Sequence, residues 1–137
     1  ERVAGLVGIA AAPDFTEALM WKGFSAQIRE TLQRDRVYYA PSEYADSSYA
    51  ITMDLIEDGR KHLLLDKTIE FDRPVHLFQG IVDDAVPWKH ALAISRKLKT
   101  DDVTTTLIKD GDHRLSRPED LEKIFAAVDR LASGPAD

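Results

Sequence analysis

The chain has 137 residues, 44% of them hydrophobic and 31% charged, a balance that suits one modest globular core and not a disordered chain. Its formal net charge of −6 argues against a nucleic-acid partner, because binding by counterion displacement needs a basic face. With no cysteine it can build neither a disulfide framework nor a thiolate zinc site, which is compatible with a reducing compartment, and a cytoplasmic location is expected.

The first residues, ERVAG, contain no initiator methionine and no basic region ahead of an apolar segment, so no signal peptide is expected and the start reads as a cut. The apolar stretch VAGLVGIAAAP, residues 3–13, falls short of the roughly 18–20 residues that span a bilayer, and no membrane span is expected. Within it, RVAGLVGIA, residues 2–10, is rich in valine and interrupted by glycine, the pattern of a central parallel strand buried on both faces. The turn AAPD follows, and Asp14 or Thr16 can cap a helix over about residues 17–33, in which Trp21, Phe24, Ile28 and Leu32 recur at spacings of three and four. After Pro41 the stretch SEYADSSYAIT suggests a loop or short strand, and Thr52 then caps a helical segment MDLIEDGRKHLLL.

Residues 73–80, RPVHLFQG, open on proline and run apolar into a glycine, as a strand entering a tight loop does. Pro87 suits the first turn of a helix ending near Lys99, with Ala91, Ile94, Ser95 and Leu98 on one face. The β-branched run VTTTLIK, residues 103–109, closes on Asp110-Gly111 and reads as a third strand. Ser116-Arg117-Pro118-Glu119 reads as a capping box for a last helix, whose buried stripe is expected at Leu121, Ile124, Phe125, Val128 and Leu131. Strand, helical insert, strand, helix, strand, helix is an α/β order. It implies parallel strands, with the loops at their C-terminal ends carrying any chemistry.

Two such loops hold ionisable groups: GIVDDAVPW, residues 80–88, and KDGDHRLS, residues 109–116. They emerge at the same sheet edge, so Asp83 and His113 can meet. An imidazole with an unperturbed pKa of about 6.5 can accept a proton at neutral pH while a carboxylate sets its tautomer, but such a pair still needs a hydroxyl or thiol nucleophile. The plainer alternatives are a solvated turn at Asp83-Asp84 before a helix N-terminus and an ordinary surface-loop histidine at His113. Asp84 itself is read as a turn residue. His62 and His90 fall on helices and His76 in a strand, positions that favour structural roles, and neither a metal site nor a cofactor is indicated. Trp21 and Phe24 could line an acyl-binding groove or simply belong to a core stripe, and Trp88 beside the acid turn carries the same ambiguity.

The pattern G-x-x-D-x-x-V-P at Gly80, Asp83, Val86 and Pro87, followed after the next strand by G-x-H at Gly111 and His113, resembles the acid and histidine turns of α/β-hydrolases. The segments YAITMDLIEDGRKHLLL, DDAVPW and DGDHRLSRPEDL further resemble bacterial relatives of the mitochondrial acyl-protein thioesterase and acyl-glucuronide esterase family, across essentially the whole chain. The resemblance implies the C-terminal part of an α/β-hydrolase fold: three parallel strands with flanking helices from residues 1–13 and 67–137, and a cap insertion at residues 14–66. It makes Asp83 the triad acid and His113 the general base, with a small acyl ester or thioester as substrate and no cofactor.

One departure is large, because the sequence contains no G-x-S-x-G nucleophile elbow. The nearest imitation, GFSAQ at residues 23–27, lacks the second glycine and falls within a predicted helix. Two functions follow. Either the chain is part of an ester or thioester hydrolase whose serine lies outside it, inactive alone, or it is a non-catalytic half that docks on the missing N-terminal half or another chain through the edge of its first strand.

Overall fold

The computed structural model describes residues 3–41 and 48–133. Chain order is β1 (Leu6–Ile9), a π-helical segment (Thr16–Trp21), α1 (Ala26–Asp35), β2 (Val37–Ala40), β3 (Tyr49–Thr52), α2 (Met53–Gly59), a 3₁₀ turn (Arg60–His62), β4 (Val75–Gly80), α3 (Trp88–Lys97), β5 (Val103–Ile108) and α4 (Pro118–Ser133). The chain divides into two compact units, Glu1–Pro13 with Leu64–Asp137, and Asp14–Leu63.

The first unit is a parallel sheet in the order β1-β4-β5, the α/β class that the alternation of elements implies. All six residues of β4 are buried, because it has a strand on each side and a helix layer on each face. Alternation along the strand sends Val75 and Leu77 to a cluster with Ile94 of α3, and Phe78 to one with Ile124 and Ala127 of α4. Each such large apolar side chain contributes roughly 1.5–3 kcal/mol on full burial. The threonines of β5 satisfy their hydroxyls across the sheet faces: Thr105 Oγ1 pairs with Ser95 Oγ and Thr106 Oγ1 with His76 Nε2, each at 2.8 Å.

β1 is shorter than expected and lies at an edge, not the centre, of the described sheet, with Leu6 and Ile9 exposed; residue 2 of the expected strand lies outside the described residues. Leu6 N donates to Pro74 O and Ala10 N to Phe78 O, both at 2.9 Å. In a parallel ladder the intervening Val7 and Ile9 therefore turn their N–H and C=O groups away from β4. The pattern of residues 2–10 reports a strand suited to cover on both edges, and among the described residues only one edge is paired.

The last helix shows a related correction. Ile124 and Ala127 are buried, Leu121 is partly so, but Phe125 and Val128 of the expected stripe are 60% and 44% exposed. Val128 and Leu131 instead flank a groove with Val3, Gly5 and Val7. The helix also starts one residue later than a Ser116 cap would have it: Arg117 O accepts from Asp120 N and Leu121 N, which makes Arg117 the capping position and Pro118 the first helical residue. Likewise Pro87 caps α3, its carbonyl accepting from His90 N, and does not enter the first turn.

In the second unit, β2 and β3 form an antiparallel hairpin over a core of Leu32, Ala40, Ile51, Met53 and Ile56. The continuous helix expected over residues 17–33 is broken at Phe24 and Ser25, and the extended Ser25 caps α1 by accepting from Ile28 N at 3.2 Å. Apolar spacing reports a shared face, and Trp21, Phe24 and Ile28 do pack on that core, but it does not report whether the backbone runs unbroken between them. The strand β2 had no counterpart in the sequence reading. Thr52 caps α2 as expected, accepting from Leu55 N at 3.2 Å, although α2 gives way to the 3₁₀ turn before residues 63–65. Residues 42–47, within the expected loop or strand, lie outside the described residues.

Candidate functional site

Asp83 and His113 stand in the loops that leave β4 and β5, and the two loops touch through backbone. Ile81 N donates to Ile108 O at 2.9 Å and Val82 N to Gly111 O at 3.2 Å. A Cβ at Gly80 would collide with the carbonyl oxygen of Gly111, and a Cβ at Gly111 would meet the side chains of Leu115 and Ile108. Both motif glycines are thus required by close approach: Gly80 lets the acid turn meet the histidine turn, and Gly111 lets the histidine turn pack on its own Ile108 and Leu115.

His113 Nδ1 lies 3.0 Å from Asp83 Oδ2. The Asp83 side chain has no exposed surface, while that of His113 is half exposed. Four donors surround the carboxylate: Ala85 N and Val86 N on Oδ1, both at 2.9 Å, and Gln79 Nε2 at 2.8 Å with His113 Nδ1 on Oδ2. Burial pushes the Asp83 carboxyl up, but the hydrogen bonds from Val86, His113, Gln79 and Ala85 together outweigh it and hold the group below the ordinary carboxylate range. The charged acid can only accept, so Nδ1 of the neutral imidazole carries the proton and Nε2 is the basic nitrogen. Among the described residues, Nε2 has no hydrogen-bond partner.

The His113 turn is anchored on both sides. Asp112 Oδ1 accepts from Arg114 N at 3.1 Å and Leu115 N at 2.9 Å, and Leu115, at φ 46°, is fully buried in the cluster with Phe78 and Ile108. Arg117 ties the ends of the segment together, reaching Asp110 with Nη1 at 2.7 Å and the fully buried Asp120 with Nε at 2.7 Å and Nη2 at 3.1 Å. The Arg117 guanidinium holds Asp110 below the usual carboxylate range. Gln79, Arg117 and Asp120 were not singled out in the sequence. A lone glutamine inside an apolar strand run was the signal available for the first.

Asp84 is exposed on the turn, and Trp88, the first residue of α3, is partly buried with Lys89 Nζ 5.7 Å from its ring centroid. Trp21 and Phe24 are partly buried against the core of the second unit, and the guanidinium carbons of Arg29 and Arg60 lie 5.6 and 4.8 Å from the Trp21 centroid. His76 is buried between Thr106 and Arg130, burial and the Arg130 charge lowering its pKa; His90 Nε2 meets Pro13 O at 2.8 Å; and His62 sits exposed beside Asp58. Among the described residues no cluster of His, Asp or Glu could hold a metal ion, and no helix is long and apolar enough to cross a membrane.

A parallel three-stranded sheet with flanking helices, carrying an acid and a histidine in contact at the ends of successive strands, is an α/β arrangement that aligns with about half the length of an α/β-hydrolase chain. No family model matches the sequence. The human mitochondrial palmitoyl-protein thioesterase ABHD10 is 27% identical over 132 residues, covering 96% of this chain and 43% of that protein. The crystal structure of an Agrobacterium vitis S4 protein designated a hydrolase superposes with a TM-score of 0.88 at 39% identity, over 95% of this chain and 50% of its own. Mouse α/β-hydrolase domain-containing protein 10 superposes with a TM-score of 0.83 at 27% identity, over 97% and 53%. The chain is a homologue of ABHD10 and of the bacterial hydrolase, and spans about half the length of these relatives.

Proposed function

We propose that this chain supplies the acid and the general base of a serine-type hydrolase acting on carboxylic esters or thioesters. The observation that carries the reading is the 3.0 Å contact of His113 Nδ1 with Asp83 Oδ2 at the ends of β5 and β4. His113 Nε2 takes the proton of a serine hydroxyl as that oxygen attacks the acyl carbonyl, then returns it to the departing alcohol or thiol. Asp83 holds the imidazole in the required tautomer and stabilises its protonated form. The serine belongs to polypeptide outside these 137 residues, since the sequence has no G-x-S-x-G and Ser25, the nearest imitation, is committed to capping α1. An acyl substrate agrees with the thioesterase named among the relatives, and Trp21, Phe24 and Trp88 are the candidates for contact with the acyl chain.

The test uses p-nitrophenyl esters and palmitoyl thioesters. In a polypeptide that joins this stretch to a nucleophile elbow, His113→Ala is expected to remove nearly all turnover and Asp83→Asn to leave a small residue, while the 137-residue chain alone does not exceed a heat-treated control. Wild-type rates in both variants, or hydrolysis by the chain alone that Ser25→Ala abolishes, would refute the reading. The second reading, a non-catalytic docking half, is favoured by the β1 edge that no described strand pairs and by the exposure of Leu6, Ile9, Phe125 and Val128.

A further inference from the structure

We propose that Gln79 is the positioning residue of the Asp83–His113 pair: its amide, used only as a donor, orients the Asp83 carboxylate so that Oδ2 meets His113 Nδ1. The proposal rests on the acid–base reading above and adds to it a residue that makes no contact with His113 in the described hydrogen bonds.

Gln79 lies on β4 with no exposed surface, in a strand whose neighbours two and four residues back, Leu77 and Val75, are apolar and pack on Ile94. A primary amide there is costly unless its groups are satisfied, and a leucine or methionine would fill similar space without that cost. The amide is satisfied on one side only. Nε2 faces three acceptors, Asp83 Oδ2 at 2.8 Å, Val86 O at 3.0 Å and Gly80 O at 3.3 Å, whereas Oε1 accepts from no described residue. Exchanging the two amide atoms would set a carbonyl oxygen against a carboxylate, so the orientation is determined.

The two Asp83 oxygens are held by different means. Backbone N–H groups of Ala85 and Val86, in the acid's own turn, fix Oδ1. Oδ2 has only Gln79 and His113, and His113 is half exposed on a separate loop. Gln79 is therefore the rigid donor that sets where Oδ2 points, from a central strand that the packing on both faces immobilises. The same bond favours the ionised acid, which is the form able to accept from Nδ1.

The test is NMR on a polypeptide that joins this stretch to a nucleophile elbow, following the Asp83 side-chain carboxyl against pH and the His113 Nδ1–H resonance and its exchange with water. Gln79→Met removes the donor at similar volume, and Gln79→Asn keeps an amide one methylene short of Asp83. Ile94→Val, on the same sheet face, is the control for a comparably loosened core. Both Gln79 variants are expected to raise the pH at which Asp83 takes up its proton and to speed exchange of the His113 Nδ1–H, while Ile94→Val lowers Tm and moves neither. Gln79 variants that lower Tm but leave both signals at wild-type values would overturn the proposal, and so would collapse of the fold in both while Ile94→Val stays folded. Asp83→Asn separates the two levels of inference. If it leaves the His113 Nδ1–H unchanged, the acid–base pairing itself fails; if that proton responds to Asp83→Asn but not to Gln79, only the positioning role fails.

Discussion

Arg117→Met should be among the most damaging single substitutions in the sheet unit, although Arg117 is itself 36% exposed. The side chain makes two charge-assisted hydrogen bonds to Asp120, a carboxylate with no exposed surface, at 2.7 and 3.1 Å. Removing one partner of such a pair leaves a buried charge without compensation, a loss of about 3–5 kcal/mol. Asp120 lies in the first turn of α4, where the helix dipole offsets part of that cost, and water reaches the partly exposed Arg117, so the net loss falls toward the lower end of that range. Replacing both partners with apolar groups, Arg117→Met with Asp120→Leu, should return stability to within about 1 kcal/mol of the wild type, because no charge is then left buried. Asp110→Ala breaks only the outer, exposed bridge and should cost far less stability, while amide exchange quickens across residues 110–117. Urea unfolding at pH 7, followed by circular dichroism, measures all four proteins. A loss below about 1 kcal/mol for Arg117→Met, or a double variant as unstable as the single one, would refute the reasoning.

Gly80→Ala would place a Cβ against the Gly111 carbonyl, so the His113 loop must move away; loss of the His113 Nδ1–H signal is expected, and its retention would show that the two turns can separate without breaking the pair. Asp83 is held below the ordinary carboxylate range, so its contribution to stability is present above that range and lost as pH falls through its folded value. The stability gap between wild type and Asp83→Asn should accordingly stay constant above about pH 5 and close in more acid solution; a gap that instead widens on acidification contradicts the assigned direction. The unpaired edge of β1 and the exposed Phe125 and Val128 predict that the isolated chain dimerises or aggregates at micromolar concentration, and that Phe125→Lys increases the monomer fraction. Sedimentation decides it: a stable monomer with Val7 and Ile9 amides fully protected would show that the edge is covered from within.

Much of the site was legible because strand-end loops carry a local signature. Gly80, Asp83 and Pro87 mark one turn and Gly111 with His113 the next, and each glycine has a steric cause, Gly80 in the backbone contact between the turns and Gly111 in the packing of Leu115 and Ile108. Gln79, Arg117 and Asp120 were not legible, for an amide or charge within an apolar pattern has no meaning until its partner is known. Those partners come from the following turn and from the far end of the histidine loop.

The amino-acid sequence by itself determined the order of strands and helices in the sheet unit, the α/β class and the pair of loops that bear Asp83 and His113, since period, turn residues and chain order are properties of short segments. Only the tertiary structure decided that Asp83 Oδ2 and His113 Nδ1 meet at 3.0 Å, that β1 ends the described sheet and that Phe125 and Val128 go uncovered. An apolar side chain or an open backbone edge records a demand for cover, and whether the demand is met depends on elements distant in the chain.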